Sequence, residues 1–452
     1  MEDLLAWPMV KSSHCISVSY GSFIALALPA IASSLLNHFY RVVDQYFVQW
    51  LGTEAQAALA ASSFILIACY AFFLVVSVGV TPIIGRACGS GDGIRVARAI
   101  KTSSILGIIT GLIFSLCLIS AAPHLGSTLG LASGSALALE EYLSALAWGG
   151  LGMAFGPLID SIMIASGDTK TPMYLQLLST ILNAFLNYFL IYEFGLGMSG
   201  AAYATGISRT FTSIIGIWMI WLLHLKEASP SPAKALYSEA KSICRVGTPA
   251  SLGVALYAFV YWALLKTTIT PLGPEVTAAL GIGFSALEGM SWPLFAGLMN
   301  AVSSLTGRLI GAGDEDQLKL MLRRASHIVL GTGLSVSIIF WWGAKWICPH
   351  FTHDPQVLNE AILYAEILAF SQLFVAFEAF YEGAMNGVGY TSYQLWLSIP
   401  CNIARVPLGY YLAFHLGLGA AGVWWAINLT TYLKTLGKGL LLKSRPWTKI
   451  SI

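Results

Sequence analysis

Long apolar runs, rather than any single motif, decide what this 452-residue chain can fold into. A helix needs about 20 mostly apolar residues to cross roughly 30 Å of hydrocarbon, and such runs recur from residue 18 to residue 442. Their pattern predicts an all-α polytopic membrane protein. Gly, Pro and charged residues divide it into twelve transmembrane helices, at about 18–48, 56–84, 98–121, 141–165, 171–193, 199–224, 247–270, 276–304, 324–346, 357–386, 391–415 and 419–442.

The composition excludes other classes of protein. Only 10% of the residues are charged and 56% are hydrophobic, whereas a soluble domain carries about 25% charged residues. A net charge of +2 with dispersed basic residues excludes a nucleic-acid partner. The seven cysteines lack the spacing of a disulfide framework or a zinc site. The acidic start Met1-Glu2-Asp3 is unlike a signal peptide, so we expect the first run to remain as a span.

The distribution of Lys and Arg predicts the orientation of the spans, because cytoplasmic loops are enriched in both. With the N-terminus inside, the outer loops hold only Lys345, while Arg41, Arg209, Lys266 and Arg405 fall within spans. We therefore expect both termini in the cytoplasm and a location in the plasma membrane, that of a bacterium's inner membrane. The inner segments hold Lys11, Arg86, Arg95, Arg98, Lys101, Lys170, Lys226, Lys234, Lys241, Arg245, Arg308, Lys319, Arg323, Arg324, Lys434, Lys438, Lys443, Arg445 and Lys449.

An internal repeat divides the chain into two halves. The segment Gly85 to Asp92 (GRACGSGD) recurs 222 residues later as Gly307 to Asp314 (GRLIGAGD), and two further islands share this offset. An offset of six spans gives both halves the same orientation, related by a pseudo-two-fold axis along the membrane normal. We predict a six-helix lobe in residues 1–225, a cytoplasmic linker in 226–246, and a second six-helix lobe with a short cytoplasmic tail in 247–452.

Two of the repeated segments read GxGxxG, beginning at Gly195 and at Gly417. A dinucleotide site would need a preceding strand and a following helix in a βαβ unit. Here each segment joins two apolar spans, so we interpret both as tight turns between helices.

Together these residues resemble the multidrug and toxic compound extrusion (MATE) family. The resemblance implies two six-helix bundles around a V-shaped central cavity, and antiport of drugs or metabolites against H⁺ or Na⁺ without a cofactor. The partners would be small-molecule substrates and the lipid bilayer, and we expect a monomer. The matching segments are Leu28-Pro29, Val43-Asp44, Leu51-Gly52, the two GRxxGxGD segments, Gly167-Asp168-Thr169, and Asn183 to Asn187 followed by Gly195-Leu196-Gly197.

Acidic residues within spans are expensive to insert, so each one is a functional hypothesis. Asp44 lies in the second half of span one, three residues after Arg41, and could bind a proton or cation or pair with Arg41. The resemblance matches Asp44 to the aspartate of the family's first-lobe cation site, with companions at Asn183, Asn187 and Thr205. Many prokaryotic members carry a second aspartate at the position of Asn187, so its absence favours H⁺ over Na⁺.

Further acids occur in the second lobe. Glu288 lies in span eight, and Glu378 and Glu382 lie one turn apart in span ten, where mutual repulsion favours a shared proton. The pair could handle protons or a cationic substrate, face an aqueous cavity, or pair with Lys266 or Arg405. The 222 offset makes Asp160 of span four the first-lobe counterpart of Glu382.

The family's NorM branch has acids in spans seven and ten where this chain has Tyr257 and Val375. Either Glu288 with Glu378 and Glu382 replaces that site, or the second lobe binds only substrate. Lys266, Arg209 and Arg405 could contact an anionic substrate, although long basic side chains near helix ends usually snorkel or pair.

Taken together, the sequence predicts secondary active efflux of small cationic or amphipathic compounds. In this hypothesis Asp44 takes a proton from outside, its lobe repacks and releases substrate, and the proton leaves inward. The alternative is a flippase for lipid-linked saccharides, which would need a strongly basic cavity. An enzyme is disfavoured because neither HExxH nor GxSxG nor a metal-ligand cluster occurs.

Overall fold

The computed structural model describes residues 18–225 and 232–444, and no strand occurs among them. The termini predicted to be cytoplasmic, and residues 226–231 of the predicted linker, lie outside these ranges. The first half contains seven α-helices. They are α1 (Tyr20–Val48), α2 (Thr53–Ser90), α3 (Gly93–Thr128), α4 (Ser133–Ala147), α5 (Gly150–Ser166), α6 (Lys170–Asn187) and α7 (Gly197–Ile220).

The second half contributes seven further long helices, the first of which begins at Ala233, inside the range predicted for the linker. Five helices continue into a π-helical turn, at Tyr188–Glu193, Trp221–Leu225, Leu265–Ile269, Gly283–Glu288 and Tyr411–His415. The helices are α8 (Ala233–Leu264), α9 (Pro274–Ile282), α10 (Gly289–Ala312), α11 (Glu315–Ile347), α12 (Pro355–Val388), α13 (Thr391–Tyr410) and α14 (Gly419–Ser444).

Joined across their short breaks, these helices form twelve long segments, the number of spans predicted. Within the described ranges, eight segments are long and apolar enough to cross a membrane, and the pair α4 and α5, bent by 63°, adds a ninth. The remaining three segments are α9 with α10, α13 and α14, which carry more polar residues. The bend between α4 and α5 was not predicted, and it falls at Trp148 and Gly149.

The repeated GRxxGxGD segments adopt the same local structure in both halves. Gly91 and Gly313 end α2 and α10 in the left-handed region, at φ of 74° and 72°, where glycine is favoured. Asp92 and Asp314 then cap α3 and α11, each accepting a hydrogen bond from the backbone N–H three residues later (2.9 Å and 3.0 Å). The sequence repeat is therefore a repeat of helix termination and helix capping.

The two GxGxxG segments are tight turns, as the sequence predicts. Gly195 and Gly197 have φ of 65° and 54°, and Gly417 and Gly419 have φ of 68° and 56°. In both lobes the turn follows a π-helical turn and leads directly into the last helix of the lobe.

The two lobes differ by single-residue insertions in their first two spans. Pro29 and Pro249 are 220 residues apart, the positive-φ glycines Gly52 and Gly273 are 221 apart, and the offset reaches 222 further along. One π-helical turn lies at the end of α8 and another between α9 and α10. A π turn closes with one residue more than an α turn. Each of these two π turns therefore explains an increase of one residue in the offset between the lobes.

The lobes contact each other where α2 crosses α10. A Cβ atom on Gly89 would overlap the carbonyl oxygen of Arg308, and one on Gly311 would overlap that of Arg86. Only glycine allows the two backbones to approach this closely. The crossing lies at the end of both helices that is predicted to face the cytoplasm.

Each arginine of the crossing reaches a helix end in the opposite lobe. The Arg86 guanidinium donates a hydrogen bond to the carbonyl oxygen of Val388, the last residue of α12 (2.7 Å). The Arg308 guanidinium lies against Gly167, which caps the C-terminus of α5. Cations are favoured at helix C-termini. The two arginines therefore stabilise the contact between the lobes at this end, in nearly two-fold symmetric positions.

Candidate functional site

The first-lobe residues predicted to bind a proton or cation lie together inside the helix bundle. Asp44 of α1 is 7% exposed, Asn183 and Asn187 of α6 are fully buried, and Thr205 of α7 is 7% exposed. Asn187 Nδ2 donates to Asp44 Oδ1 at 2.8 Å, and Thr205 Oγ1 donates to Asp44 Oδ2 at 3.2 Å. Three helices thus bring these four side chains together, with the Asp44 carboxylate among the other three.

The remaining contacts of this group leave one acceptor free. Asn187 Nδ2 also donates to Asn183 Oδ1 at 3.2 Å, and Asn183 Nδ2 lies 3.5 Å from Thr205 Oγ1. Asn187 Oδ1 is buried and has no hydrogen-bond partner among the described residues. A buried acceptor without a donor is costly, and a proton or a small cation would satisfy it.

Asp44 forms no ion pair among the described residues, so the predicted alternative pairing with Arg41 is wrong in this structure. Arg41 lies on the exposed part of α1, whereas Asp44 points into the bundle. Carboxylate, amide and hydroxyl oxygens are the ligands that a hard cation prefers. The site can therefore hold either a proton on Asp44 or a small cation among its oxygens.

A second group of polar side chains lies one turn of α1 before Asp44, toward the N-terminus of that helix. The Tyr40 hydroxyl is 2.7 Å from Ser208 Oγ, and its ring lies 4.2 Å beneath the Arg209 guanidinium. Arg209 donates to Gln176 Oε1 at 2.9 Å and to Asn37 Oδ1 at 2.8 Å. Arg209, predicted as a possible substrate contact, is thus held by amide groups.

Asp160 of α5 lies beside this second polar group rather than with the second-lobe acids. It lines a small cavity of about 20 Å³ together with Gln176, Arg209, Thr212 and Ser213. The cavity lies between α5, α6 and α7.

In the second lobe, Glu378 and Glu382 are neutralised by two lysines of α14. Glu378 Oε1 is 2.7 Å from Lys434 Nζ and 2.9 Å from Lys438 Nζ, and Glu382 Oε1 is 2.5 Å from Lys438 Nζ. The predicted alternative partners, Lys266 and Arg405, are not the ones found. Buried ionised groups are stable only when paired, which explains why both acids bind lysines.

Lys434 and Lys438 were counted from the sequence among the cytoplasmic charges, and this was wrong. They are 6% and 0% exposed, inside the lobe. A signal was present in the sequence, because two acids four residues apart in one span were matched by two lysines four residues apart in another. Such spacing places each pair on one helix face.

Arg405 and Lys266, the basic residues predicted to pair with these acids, have other contacts in the structure. Arg405 is 2% exposed, and it donates hydrogen bonds to the hydroxyls of Thr430 (3.1 Å) and Thr431 (3.3 Å). Lys266 is exposed, and its ammonium lies 5.3 Å from the ring of Trp262.

Glu288 stands apart from the four-charge cluster of Glu378, Glu382, Lys434 and Lys438. It ends the π turn before α10 and accepts a hydrogen bond from the Tyr364 hydroxyl at 2.5 Å. Tyr364 precedes Glu378 by fourteen residues on α12, which is about 21 Å along a helix. The sequence-based suggestion that the three glutamates form one site is therefore not what the structure shows.

Comparison with known proteins shows to which family this architecture belongs. A sequence model of the MatE family matches residues 29–189 and 249–411, once in each lobe. The chain belongs to the MatE family. MatE proteins are membrane transporters, as the resemblance seen in the sequence implies.

Relatives of the chain come from bacteria and plants. The Probable multidrug resistance protein NorM of Thermotoga maritima is 27% identical over 441 residues, covering 95% of this chain and 93% of the relative. Protein DETOXIFICATION 16 of Arabidopsis thaliana is 23% identical, covering 99% and 92%. The similarity thus extends over both lobes.

Solved structures share the fold. A MOP superfamily transporter from Pyrococcus furiosus Vc1 is 23% identical with a TM-score of 0.86, covering 96% of this chain and 97% of that chain. A multidrug resistance MATE family transporter in an outward-facing conformation is 23% identical with a TM-score of 0.85, covering 94% and 95%. These likenesses establish the MATE fold for the chain.

Proposed function

We propose that this MatE protein exports small cationic or amphipathic organic compounds in exchange for protons, with Asp44 as the proton carrier. The observation that carries the proposal is the buried Asp44 carboxylate, bound by amides and a hydroxyl and paired with no cation among the described residues. Such a group gains or loses a charge when a proton moves, and a buried charge changes the packing energy of its surroundings strongly.

The donor set favours H⁺ as the coupling ion over Na⁺. Asp44 is the only carboxylate among the four residues of the site, since Asn183, Asn187 and Thr205 are neutral. A Na⁺ ion would have a single negative ligand to offset its desolvation, whereas protonation removes the charge of Asp44 altogether. Na⁺ coupling is the alternative, and the free Asn187 oxygen is what would support it.

The contact between the lobes supports a mechanism of alternating access. The crossing of α2 with α10, fastened by Arg86 and Arg308, closes the end predicted to be cytoplasmic. We propose that protonation of Asp44 from outside repacks α1 against α6 and α7 and releases the substrate outward. Opening of the glycine crossing then exposes the site to the cytoplasm, where the proton leaves.

Aromatic side chains near Glu288 support a cationic substrate. The ring centroids of Tyr257 and Tyr261 lie 4.7 Å apart, and the ring of Tyr261 contacts that of Phe284 edge to face with a centroid distance of 5.1 Å. Glu288 is within electrostatic reach of both tyrosines. Aromatic faces and one carboxylate form a site that attracts organic cations, and the bacterial relatives are named as probable multidrug resistance proteins.

The flippase alternative is not favoured. It expects a basic cavity that binds an anionic lipid carrier. Among the described residues, Lys434 and Lys438 are paired with glutamates and Arg405 is bound by threonine hydroxyls. A location in the bacterial inner membrane, cytoplasmic termini and a monomeric state remain part of the proposal.

The test is dye accumulation in proteoliposomes under an imposed pH gradient and, separately, an imposed Na⁺ gradient. Wild type should respond to the pH gradient alone, and Asp44→Asn should not respond to either. Asp316→Asn is the matched control, because it makes the same change at a carboxylate that is 98% exposed. Unchanged pH-driven accumulation in Asp44→Asn would overturn the proposal.

A further inference from the structure

Polar side chains continue from Asp44 toward the inner end of the first lobe. On α1, Tyr40 and Asn37 lie four and seven residues before Asp44. On α6, Gln176 lies seven residues before Asn183, which is about 10 Å along the helix. These intervals are one and two helical turns, so the polar groups share one face of each helix. The polar column therefore leads from Asp44 to the cavity beside Asp160.

The cavity contains an unsatisfied polar group. Gln176 is 6% exposed, and its Nε2 donor has no hydrogen-bond partner among the described residues, although its Oε1 accepts from Arg209. The Asp160 carboxylate lines the same space and forms no hydrogen bond or ion pair among them. A polar cavity of about 20 Å³ is large enough for one water molecule. An acid and an unpaired donor therefore face a space that admits water.

Arg209 lies between the two acids. It forms no ion pair among the described residues, its hydrogen-bond partners are neutral amides, and it is within electrostatic reach of both Asp44 and Asp160. A guanidinium stays protonated in proteins, and a charge inside a membrane protein needs an opposite charge nearby. Arg41 is another cation within electrostatic reach of Arg209, but it lies on the exposed part of α1. Inside the bundle, one ionised aspartate balances Arg209, while two would leave an excess negative charge. The group therefore favours one proton shared between Asp44 and Asp160.

We propose that Asp160 is a second proton-binding residue of the first lobe, linked to Asp44 through Arg209 and the water-sized cavity. The inference rests on the proposed function and adds the inward proton acceptor. When the proton moves inward, Asp44 changes from carboxylic acid to carboxylate and Asp160 makes the reverse change, so the charge of the group is conserved. The proton then leaves Asp160 for cytoplasmic water.

The surroundings of Asp160 are suited to this exchange. Among the described residues, Arg209 of α7 and Tyr70 of α2 are within electrostatic reach of Asp160, and Arg41 of α1 is within reach of both Arg209 and Tyr70. The second-lobe counterpart, Glu382, is held by Lys438, whereas the residue of the first lobe that corresponds to Lys438 is Gly216. The first-lobe acid thus lacks the lysine that would fix its charge.

The test compares two transport modes in proteoliposomes. Accumulation driven by a pH gradient requires net proton movement, whereas exchange of labelled for unlabelled dye at equal pH does not. In Asp160→Asn we expect driven accumulation to fall at least tenfold while exchange stays within twofold of wild type. Asp160→Glu, which keeps the carboxyl group, should restore driven accumulation and shift its pH profile.

Other outcomes are informative in different ways. If Asp160→Asn accumulates dye like wild type, the inference is overturned. It is also overturned if accumulation and exchange both fall in Asp160→Asn and Asp160→Glu restores neither, because Asp160 is then structural or binds substrate. If Asp44→Asn also accumulates dye normally, the proposed function itself fails. If Asp44→Asn is inactive and Asp160→Asn is normal, only the role of Asp160 is rejected.

Discussion

The two lobes share one backbone plan but place different chemistry at equivalent positions. The first-lobe site is built from Asp44, Asn183, Asn187 and Thr205. With the offsets of their spans, the corresponding second-lobe residues are Leu264, Arg405, Gly409 and Ile427. One lobe therefore presents a carboxylate with neutral oxygen ligands, and the other presents a permanently charged guanidinium and apolar groups.

The difference extends one layer toward the inner end. In the first lobe Asp160 has no ion-pair partner among the described residues. In the second lobe the corresponding Glu382, together with Glu378, is bound by Lys434 and Lys438. An acid that is already paired with a lysine loses that pairing when it is protonated, whereas an unpaired acid does not. The first lobe is thus suited to exchange protons, and the second is suited to hold a fixed charge pattern.

The largest effect is expected from giving the first lobe the second lobe's cation. Asn183→Arg places a guanidinium beside Asp44, as Arg405 stands at the equivalent position of the second lobe. The new ion pair should hold Asp44 ionised and lower pH-driven transport at least a hundredfold. The measurement is dye accumulation in proteoliposomes, with Asn183→Met as an uncharged control that retains more activity. Equal loss in both variants would show that size, not charge, matters here.

The four-charge cluster should matter for stability rather than for coupling. Glu378→Gln leaves Lys434 and Lys438 undercompensated, and breaking a buried ion pair costs about 3 kcal/mol. We expect a clear fall in the midpoint of thermal unfolding in detergent. The double change Glu378→Leu with Lys434→Met should recover most of it, since an apolar replacement of a buried pair is often neutral. A double variant less stable than the single one would contradict this interpretation.

A smaller effect is expected from one hydrogen bond to the carboxylate. Thr205→Val keeps the shape of the side chain but removes the hydroxyl that donates to Asp44 Oδ2. A single hydrogen bond contributes about 1 kcal/mol, which corresponds to about fivefold in the proton dependence of transport. Thr110→Val on α3 is the matched control, because the Thr110 hydroxyl donates only to carbonyls of its own helix and does not line the cavity beside Asp160. A pH profile that shifts equally in both variants would argue against the contact.

The smallest effects should be equal in the two lobes, because the helix caps are the same in both. Asp92→Ala and Asp314→Ala each remove an N-cap, which costs about 1 kcal/mol of stability. The decrease in unfolding midpoint should be similar for both, and transport should be retained. A large difference between them would show that the repeated segments do not have the same role.

The backbone plan was predictable because it depends on local rules. The apolar runs marked the spans, and the glycines of the repeat marked the turns that the structure places at positive φ, such as Gly91 and Gly313. The bend at Gly149 and the π turns escaped prediction, since neither changes the hydropathy of its span. Only the π turns at Leu265–Ile269 and Gly283–Glu288 leave a trace in the sequence, which is the drift of the repeat offset from 220 to 222.

The candidate site was predictable only in part. Asp44 and its three companions, Asn183, Asn187 and Thr205, were grouped through the family resemblance, because their separation along the chain gives no hint of contact. Lys434 and Lys438 were misplaced because the positive-inside rule counts charges near a span end as loop charges. A rule that first matches opposite charges at i, i+4 in different spans would have paired them with Glu378 and Glu382.

The central claim is that the coupling proton binds in the first lobe. It is tested most directly by a pH-sensitive dye inside proteoliposomes, which reports the protons moved when substrate is added. Wild type should move protons, Glu288→Gln should also move them once the substrate concentration is raised to offset weaker binding of the cation, and Asp44→Asn should move none at any substrate concentration. Proton movement that persists in Asp44→Asn and vanishes in Glu288→Gln would place coupling in the second lobe and contradict the account.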